Sequence, residues 1–186
     1  SGSISFAEGG YEFYFGLDGN AFNPKTLSIG SEESLLYWED QRFGNFSTKT
    51  FGSLITTSFS DEDLNGSRLS DNLDQVNAKA ELIGDNIFLG FDNELGEVSQ
   101  YYQVLDKNLN LIGDQEGTAV FQSGTSQKDA ILVSSSDGFL YYVFADLRSF
   151  IDYDIYVQKY SEAGDPVWAE PVLVVDNFLA DDKPVA

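Results

Sequence analysis

Residues 131–148 read ILVSSSDGFLYYVFADLR, a stretch with the pattern of a β-hairpin. An aliphatic run at 131–133 is followed at 134–138 by serines, an aspartate and a glycine, the small and polar types that favour tight turns. An aromatic run at 139–144 comes next, and Asp146 follows it. Two apolar runs joined by a short polar turn predict an antiparallel pair of strands.

Two other segments resemble this hairpin and indicate an internal repeat. They are 31–42 (SEESLLYWEDQR) and 82–94 (LIGDNIFLGFDNE). Aligned on Asp40, Asp92 and Asp146, the three copies are spaced 52 and 54 residues apart. A second set of segments runs from a strand pattern through a polar turn to an apolar residue: 54–66, 101–112 and 155–168. Two sets with one period of about 50 residues predict a unit of about four strands, the size of a propeller blade.

The repeats predict an all-β chain forming a single domain over 1–186, a β-propeller-like array of three to four small antiparallel sheets. The alternative is a β-sandwich. Segment 75–82 has a helical composition, but its alternation and its repeat partner favour a strand. The aromatic strand at 11–17 is predicted to complete the last, C-terminal sheet, because this pairing would remove two exposed edges. A piece of a longer array is the other interpretation.

Composition limits the possible functions. The chain has 31 acidic and 10 basic residues and a net charge of −21, which disfavours nucleic acid and anionic membranes as partners. Cysteine and histidine are absent, so Cys/His zinc sites, thiol chemistry and His-based triads are excluded. Paired carboxylates, as in glycosidases, remain possible. No run is long enough for insertion into a membrane.

A calcium loop is predicted at 61–66, where DEDLNG matches the first half of the DxDxNG pattern. Oxygens at its first, third and fifth positions converge because the glycine allows a sharp turn. Asn72 stands where a glutamate is expected, so nearby oxygens would complete the set. The predicted Ca²⁺ ligands are Asp61, Asp63, Asn65, Ser67, Asp71 and Asp74. The alternative is a plain hairpin turn.

A second acidic group, Asp146, Asp152 and Asp154, is also a candidate for Ca²⁺. Asp152 and Asp154 are two residues apart and would face the same side at the start of a strand. A cation could bridge them. Exposed and screened charges at this spacing are the competing interpretation.

Aromatic strands end in an aspartate followed by an arginine in two of the repeats, as Asp40 with Arg42 and Asp146 with Arg148. A carboxylate and a guanidinium at one blade position can bond neighbouring blades. They could instead contact a ligand, together with an aromatic platform. The candidate ligand-binding residues are Trp38, Asp40, Arg42 and Arg148.

The segment IYVQKYSEAGDPVW, with the preceding DGFLYYVFADLR, resembles the propeller-like repeats of large secreted bacterial surface proteins. Residues Ile155, Tyr156, Gln158, Gly164 and Trp168 match one half of that pattern, and Trp38, Asp40 and Arg42 match the other. In size, acidity and lack of cysteine, the chain is also similar to the calcium-dependent ligand-binding, or peptide-binding, modules of repeats-in-toxin adhesins.

These resemblances imply a calcium-dependent, non-enzymatic binding module of a bacterial adhesin. It would act outside the cell, at the cell surface, as part of a larger secreted protein. Its partner would be a peptide or a carbohydrate on a host or partner-cell surface. A carboxylate-based glycoside hydrolase and a structural spacer are the alternatives.

Overall fold

A computed structural model describes residues 19–44, 47–56, 65–71, 74–94 and 98–175. Within these ranges the chain forms thirteen β-strands and no helix. The predicted all-β class is therefore confirmed. The predicted strand at 11–17 lies outside the described residues.

The strands form three antiparallel sheets that follow one another along the chain. The first contains β1 (Ala21–Ser28), β2 (Ser34–Asp40), β3 (Lys49–Ile55) and β4 (Ser67–Arg68). The second contains β5 (Gln75–Ile83), β6 (Asn86–Asn93), β7 (Ser99–Asp106), β8 (Leu111–Ile112) and β9 (Thr118–Ala119). The third contains β10 (Gln127–Ser134), β11 (Leu140–Asp146), β12 (Asp154–Tyr160) and β13 (Val172–Val175). This is the predicted propeller-like array, and β10 and β11 form the hairpin predicted from 131–148.

The first strand of each sheet carries a bulge at the same place. Asn23, Asn77 and Asp129 lie there with φ of 52°, 55° and 54°, a left-handed conformation that Asn and Asp tolerate better than most residues. The pairing register shifts at each of these bulges. A bulge re-aims side chains and bends its strand, so all three sheets share one local distortion.

The strand pairing corrects the alignment of the repeats in the second sheet. Gln75 lies opposite Asn93, just as Ala21 lies opposite Asp40 and Gln127 opposite Asp146. The equivalent positions are therefore 40, 93 and 146, which are 53 residues apart in both intervals. The prediction that Asp92 is equivalent to Asp40 is wrong by one residue.

Hydrophobic cores fill the two spaces between successive sheets. Between the first and second sheets lie Ile29, Leu35, Tyr37, Leu69, Ala78, Ile87, Leu89, Phe91 and Leu105. Between the second and third lie Ile83, Phe88, Tyr102, Val104, Val120, Ala130, Leu140, Tyr142, Phe144, Tyr156 and Tyr160. Burial of such side chains contributes about 1.5–3 kcal/mol each, so packing between sheets is a main source of stability.

Buried glutamines connect neighbouring sheets at matching points. The side-chain carbonyl of Gln75 accepts a hydrogen bond from the Thr50 backbone N–H at 2.9 Å. That of Gln127 accepts one from the Gln100 backbone N–H at 3.1 Å. Each bond crosses from the first strand of one sheet to the third strand of the sheet before it, which fixes the spacing of the first strands.

Candidate functional site

An asparagine, a lysine and a carboxylate occur at equivalent positions of the first two sheets. The asparagine is the bulge residue of the first strand, the lysine follows two residues later, and the carboxylate lies on the second strand. We call these sets the Asn–Lys–acid triads: Asn23, Lys25 and Glu39 in the first sheet, and Asn77, Lys79 and Asp92 in the second. In the third sheet, the same positions hold Asp129, Ile131 and Ala145.

The second-sheet triad holds its carboxylate with two amides. Asn77 Nδ2 donates to Asp92 Oδ2 at 2.8 Å, and Gln100 Nε2 donates to Oδ1 at 2.6 Å. Lys79 Nζ donates to the backbone carbonyl of Asn77 at 3.3 Å. Asp92 is only 4% exposed, and hydrogen bonds to a buried carboxylate offset the cost of removing it from water. The carboxylate is therefore fixed in orientation.

The first-sheet triad leaves part of its carboxylate unbonded. Asn23 Nδ2 donates to Glu39 Oε2 at 3.1 Å, and Lys25 Nζ donates across to the carbonyl of Ala78 at 2.5 Å. Glu39 is 2% exposed, and its Oε1 has no hydrogen-bond partner among the described residues. A buried acceptor without a partner costs free energy.

Lys79 lies on β5, which packs against the first strands of both neighbouring sheets. Burial lowers the pKa of Lys79 below its usual value, the carboxylate of Asp92 opposes this shift, and the nearby ammonium of Lys25 adds to it. The carboxylates of Asp129 and Glu39 also act to raise this pKa. Charged groups on all three sheets therefore influence the pKa of Lys79. Asn23 and Asn77 are exposed, so solvent reaches the bulge end of each triad.

Sequence reasoning missed the triads, although the sequence contains a signal for them. Asn-x-Lys occurs as Asn23-Pro24-Lys25 and again as Asn77-Ala78-Lys79, 54 residues apart. The carboxylates are harder to find, because Glu39 and Asp92 match only after the register has been corrected.

The predicted ligand-binding residues of the first sheet form a bonded group. Trp38 Nε1 donates to Asp40 Oδ2 at 3.0 Å, and the Arg42 guanidinium donates to the same oxygen at 2.6 Å. Arg42 also donates to the carbonyl of Asn65 at 3.0 Å and stacks 3.9 Å above the Phe51 ring. Trp38 and Asp40 are buried, so contact of these two residues with a ligand stays a prediction.

Asp146 and Arg148 repeat this arrangement in the third sheet. Arg148 donates to Asp146 through its backbone N–H at 2.9 Å and through its guanidinium at 2.8 Å. Thr125 and Gln127 also donate to the buried Asp146, both at 2.9 Å. The guanidinium lies 3.6 Å above the Tyr156 ring. The ligand-binding role of Arg148 likewise stays a prediction.

The predicted calcium residues fall into three groups. Asp61 and Asp63 lie outside the described residues, whereas Asn65 and Ser67 are exposed. Asp71 pairs with Arg68 at 2.5 Å, and Asp74 accepts from the Thr48 N–H at 3.3 Å.

The second acidic group is only partly brought together. Asp146 lies opposite Asp154 in the ladder, and Asp152 accepts from the Ser149 hydroxyl. In the described part of the chain, no group of three acidic residues has the arrangement of a metal site. Calcium binding, at either group, stays a prediction.

Comparison with known proteins gives only structural matches. No family model matches the chain, and neither does any curated protein. A thermostable family-43 glycoside hydrolase matches at TM-score 0.48 and 16% identity, covering 86% of this chain and 54% of its own. An endo-arabinase from Bacteroides thetaiotaomicron matches at TM-score 0.47 and 14% identity, covering 82% and 55%. An α-L-arabinofuranosidase from Fusarium graminearum matches at TM-score 0.35 and 13% identity, covering 74% and 46%.

The prediction of a non-enzymatic chain is contradicted by this comparison, because the three structures described above are named as glycoside-cleaving enzymes. We therefore correct it. The chain spans about half the length of these structures, and at TM-scores below 0.5 the likeness assigns no residue a role. Within the described ranges, no helix has the length and apolar character needed to cross a membrane.

Proposed function

We propose that the chain contributes the carboxylates of a glycoside hydrolase. The observation that carries this proposal is a pair of buried carboxylates at equivalent positions of two successive sheets, Glu39 and Asp92, each held by the bulge asparagine of its own sheet. Glycosidases without histidine or cysteine work with a pair of carboxyl groups, one acting as an acid and the other as a base or nucleophile. The matched structures are named as enzymes of the same chemical class. The proposal itself rests on the buried carboxylates of this chain.

The hydrogen bonds suggest a different role for each carboxylate. Asp92 accepts from two amides, and a carboxylate bonded in this way is held as an acceptor, which suits a base or nucleophile. Glu39 has one oxygen bonded by Asn23 and one without a partner in the described ranges. That oxygen suits an acid, because a protonated carboxyl donates to the leaving oxygen of the substrate.

Turnover of a panel of glycosides by the purified chain tests this proposal. The panel contains aryl glycosides of common neutral sugars, including aryl arabinofuranosides, and polysaccharides that include arabinan. We expect release of the aryl group or of reducing sugar. Replacement of Glu39→Gln or Asp92→Asn keeps the shape of each side chain and should lower kcat by about 100-fold or more.

The matched control is Glu81→Gln, which changes a partly buried acid of β5 that bonds Ser134 at 2.6 Å. This variant should keep the activity of the wild type. Melting temperatures of all three variants separate lost chemistry from lost folding. The proposal is wrong if no glycoside is turned over, or if the Glu39→Gln and Asp92→Asn variants are as active as the wild type.

An extracellular location remains part of this proposal, because polysaccharide substrates lie outside the cell. Detection of the protein in the culture medium or on the cell surface tests it. The role of a calcium-dependent adhesin that binds a surface peptide or glycan stays a prediction.

A further inference from the structure

The side-chain amide of Gln100, on β7, has a partner for each of its polar atoms. Its Nε2 donates to Asp92 Oδ1 at 2.6 Å and to the backbone carbonyl of Gln127 at 3.4 Å. Its Oε1 accepts from the hydroxyl of Tyr142, on β11, at 2.9 Å. Gln100 and Tyr142 are both fully buried. A buried amide with all its partners in place is held in one orientation, so Gln100 fixes the position of the Asp92 carboxylate.

The hydroxyl of Tyr142 decides which way this amide points. A backbone carbonyl and an ionised carboxylate can only accept hydrogen bonds, so the amide nitrogen faces Asp92 and the amide oxygen faces the phenol. The hydroxyl lies 2.9 Å from Gln100 Oε1 and 3.3 Å from the carbonyl of Tyr101, and the shorter contact favours donation to Gln100. Burial and the nearby charge of Asp92 raise the pKa of Tyr142 well above its usual value. The phenol therefore keeps the hydrogen that it donates.

Gly90, on β6, leaves the space through which Tyr142 reaches Gln100. A Cβ at position 90 would lie 2.9 Å from both Cε2 and the hydroxyl oxygen of Tyr142. A larger residue there would therefore displace the phenol from Gln100. In the sheet, β6 is the direct neighbour of β7. The tyrosine of the third sheet thus passes over a strand without a side chain at that point and bonds to a polar group of the next strand.

The acid of the first sheet lacks this support. Thr50 is equivalent to Gln100 by register, because Thr50 pairs with Glu39 as Gln100 pairs with Asp92. Among the described residues, neither the buried Thr50 hydroxyl nor Glu39 Oε1 has a hydrogen-bond partner. Leu89 holds the position of the tyrosine in the second sheet and has no hydroxyl to offer to the first. The bonded amide is therefore specific to Asp92.

We propose that Tyr142 is a positioning residue for the carboxylate of Asp92. The third sheet has neither a lysine nor a second-strand acid at the triad positions, and its contribution to the site is this phenol. Without the hydroxyl, Gln100 Oε1 would be a buried acceptor without a donor, which costs free energy. The amide would shift to find another donor and would loosen its bond to Asp92. The catalytic consequence rests on the proposed function, in which Asp92 acts as the base or nucleophile.

Nuclear magnetic resonance of the Gln100 side chain tests the positioning without any substrate. With isotope-labelled glutamine, the Nε2 hydrogen that faces Asp92 should give a downfield, slowly exchanging signal, because it lies in a short bond to a carboxylate. Its absence in Gln100→Leu assigns it. Tyr142→Phe keeps the ring and removes only the hydroxyl, and it should move the signal upfield and speed its exchange by about tenfold. Tyr160→Phe is the matched control, because it removes a hydroxyl of the same core that bonds the carbonyl of Val120 at 3.3 Å. This variant should leave the signal unchanged.

Kinetics with a glycoside that the chain turns over give the second readout. Tyr142→Phe should lower kcat by about tenfold and leave KM near that of the wild type, because a displaced reacting group slows the chemistry more than it weakens binding. Tyr160→Phe should keep both constants, and melting curves confirm that the variants are folded. Gly90→Ala displaces the phenol instead of truncating it, so it should change the Gln100 signal in the same direction.

The two readouts separate the possible failures. An unchanged Gln100 signal in both Tyr142→Phe and Gly90→Ala would overturn the proposal, and so would a wild-type kcat for Tyr142→Phe in an active chain. If no glycoside is turned over but the signal responds as expected, the proposed function is wrong and the positioning of Asp92 by Tyr142 still holds.

Discussion

A buried aspartate closes the loop after the second strand in both the first and third sheets. Asp40 accepts from the backbone N–H of Arg42 and from its guanidinium, and Asp146 does the same with Arg148. Each arginine also covers an aromatic ring of the third strand, Phe51 or Tyr156. One Asp–Arg pair therefore connects the loop, the end of the second strand and the aromatic ring of the third strand. This structural role is enough to explain why the pair occurs in two sheets.

Replacement of Asp146→Ala should destabilise the chain by about 3 kcal/mol, because it leaves a largely buried guanidinium without its carboxylate. Urea unfolding of the variant measures this loss. The control is Asp85→Ala, which breaks the 2.7 Å pair with Lys107 at a carboxylate that is 89% exposed. Exposed pairs contribute little, so equal losses in the two variants would contradict a special role of the buried pair.

Stability should also depend on pH through Asp40. Burial acts to raise the pKa of this carboxyl, but hydrogen bonds from Arg42 and Trp38 outweigh it and hold the pKa below the usual 3.8. A carboxyl group whose pKa is lower in the folded state than in the unfolded state stabilises the fold. This contribution is complete above pH 3.8, and it is lost as the pH falls through the pKa of the folded state. The gap in urea midpoint between wild type and Asp40→Asn should therefore shrink below pH 3.8. A gap that is constant with pH would show that ionisation of Asp40 does not matter.

At the scale of the strands, the sequence predicts the hairpins well but their alignment less well. Alternation and turn residues identify β10 and β11, and the repeat extends this to the other sheets. Asp40 and Asp92 each end an aromatic strand pattern, which predicts that they are equivalent. The type of a side chain does not show which residue it pairs with across the sheet, however. The observed pairing of Gln75 with Asn93 shifts the alignment of the repeats by one residue.

The Asn–Lys–acid triads show a second limit of sequence reasoning. Lysines and asparagines on a strand are typical of a solvated face, and only the packing of β5 against the neighbouring first strands lets charges of all three sheets act on Lys79. The bulges of the first two sheets make the triads possible, because each of them turns an asparagine side chain toward the carboxylate of the second strand. Bulges of this kind leave little trace in one sequence.

Packing between the second and third sheets should be sensitive at Gly90 of β6. A Cβ at this position would lie 2.9 Å from the ring of the fully buried Tyr142, closer than side chains tolerate. Gly90→Ala should cost about 1–3 kcal/mol through overpacking. Thermal unfolding measures this, with Gly30→Ala as the control because its new Cβ would meet nothing nearer than 3.5 Å. A Gly90→Ala melting temperature equal to that of the control would show that the two sheets adjust freely.

The whole molecule combines an apolar interior with a net charge of −21. Such a charge destabilises the compact state, because like charges repel one another. Cations reduce this repulsion in two distinct ways. Salt screens all charges at once, whereas Ca²⁺ in an oxygen site binds specific carboxylates. Only an effect specific to Ca²⁺ would distinguish binding at the predicted loop 61–66 from general screening of the charge by salt.

Melting curves in Ca²⁺ and in chelator, at ionic strength matched with NaCl, provide that distinction. An ion that binds only the folded chain adds RT ln(1 + [L]/Kd), about 2.7 kcal/mol at one hundred times Kd. For a domain of this size, that is an increase of about 5 to 10 °C in melting temperature. Mg²⁺ should do less, because it releases its water reluctantly and demands octahedral geometry. Asp61→Ala combined with Asp63→Ala should abolish the calcium-specific increase. If the double variant keeps it, the loop is an ordinary turn and calcium binds elsewhere.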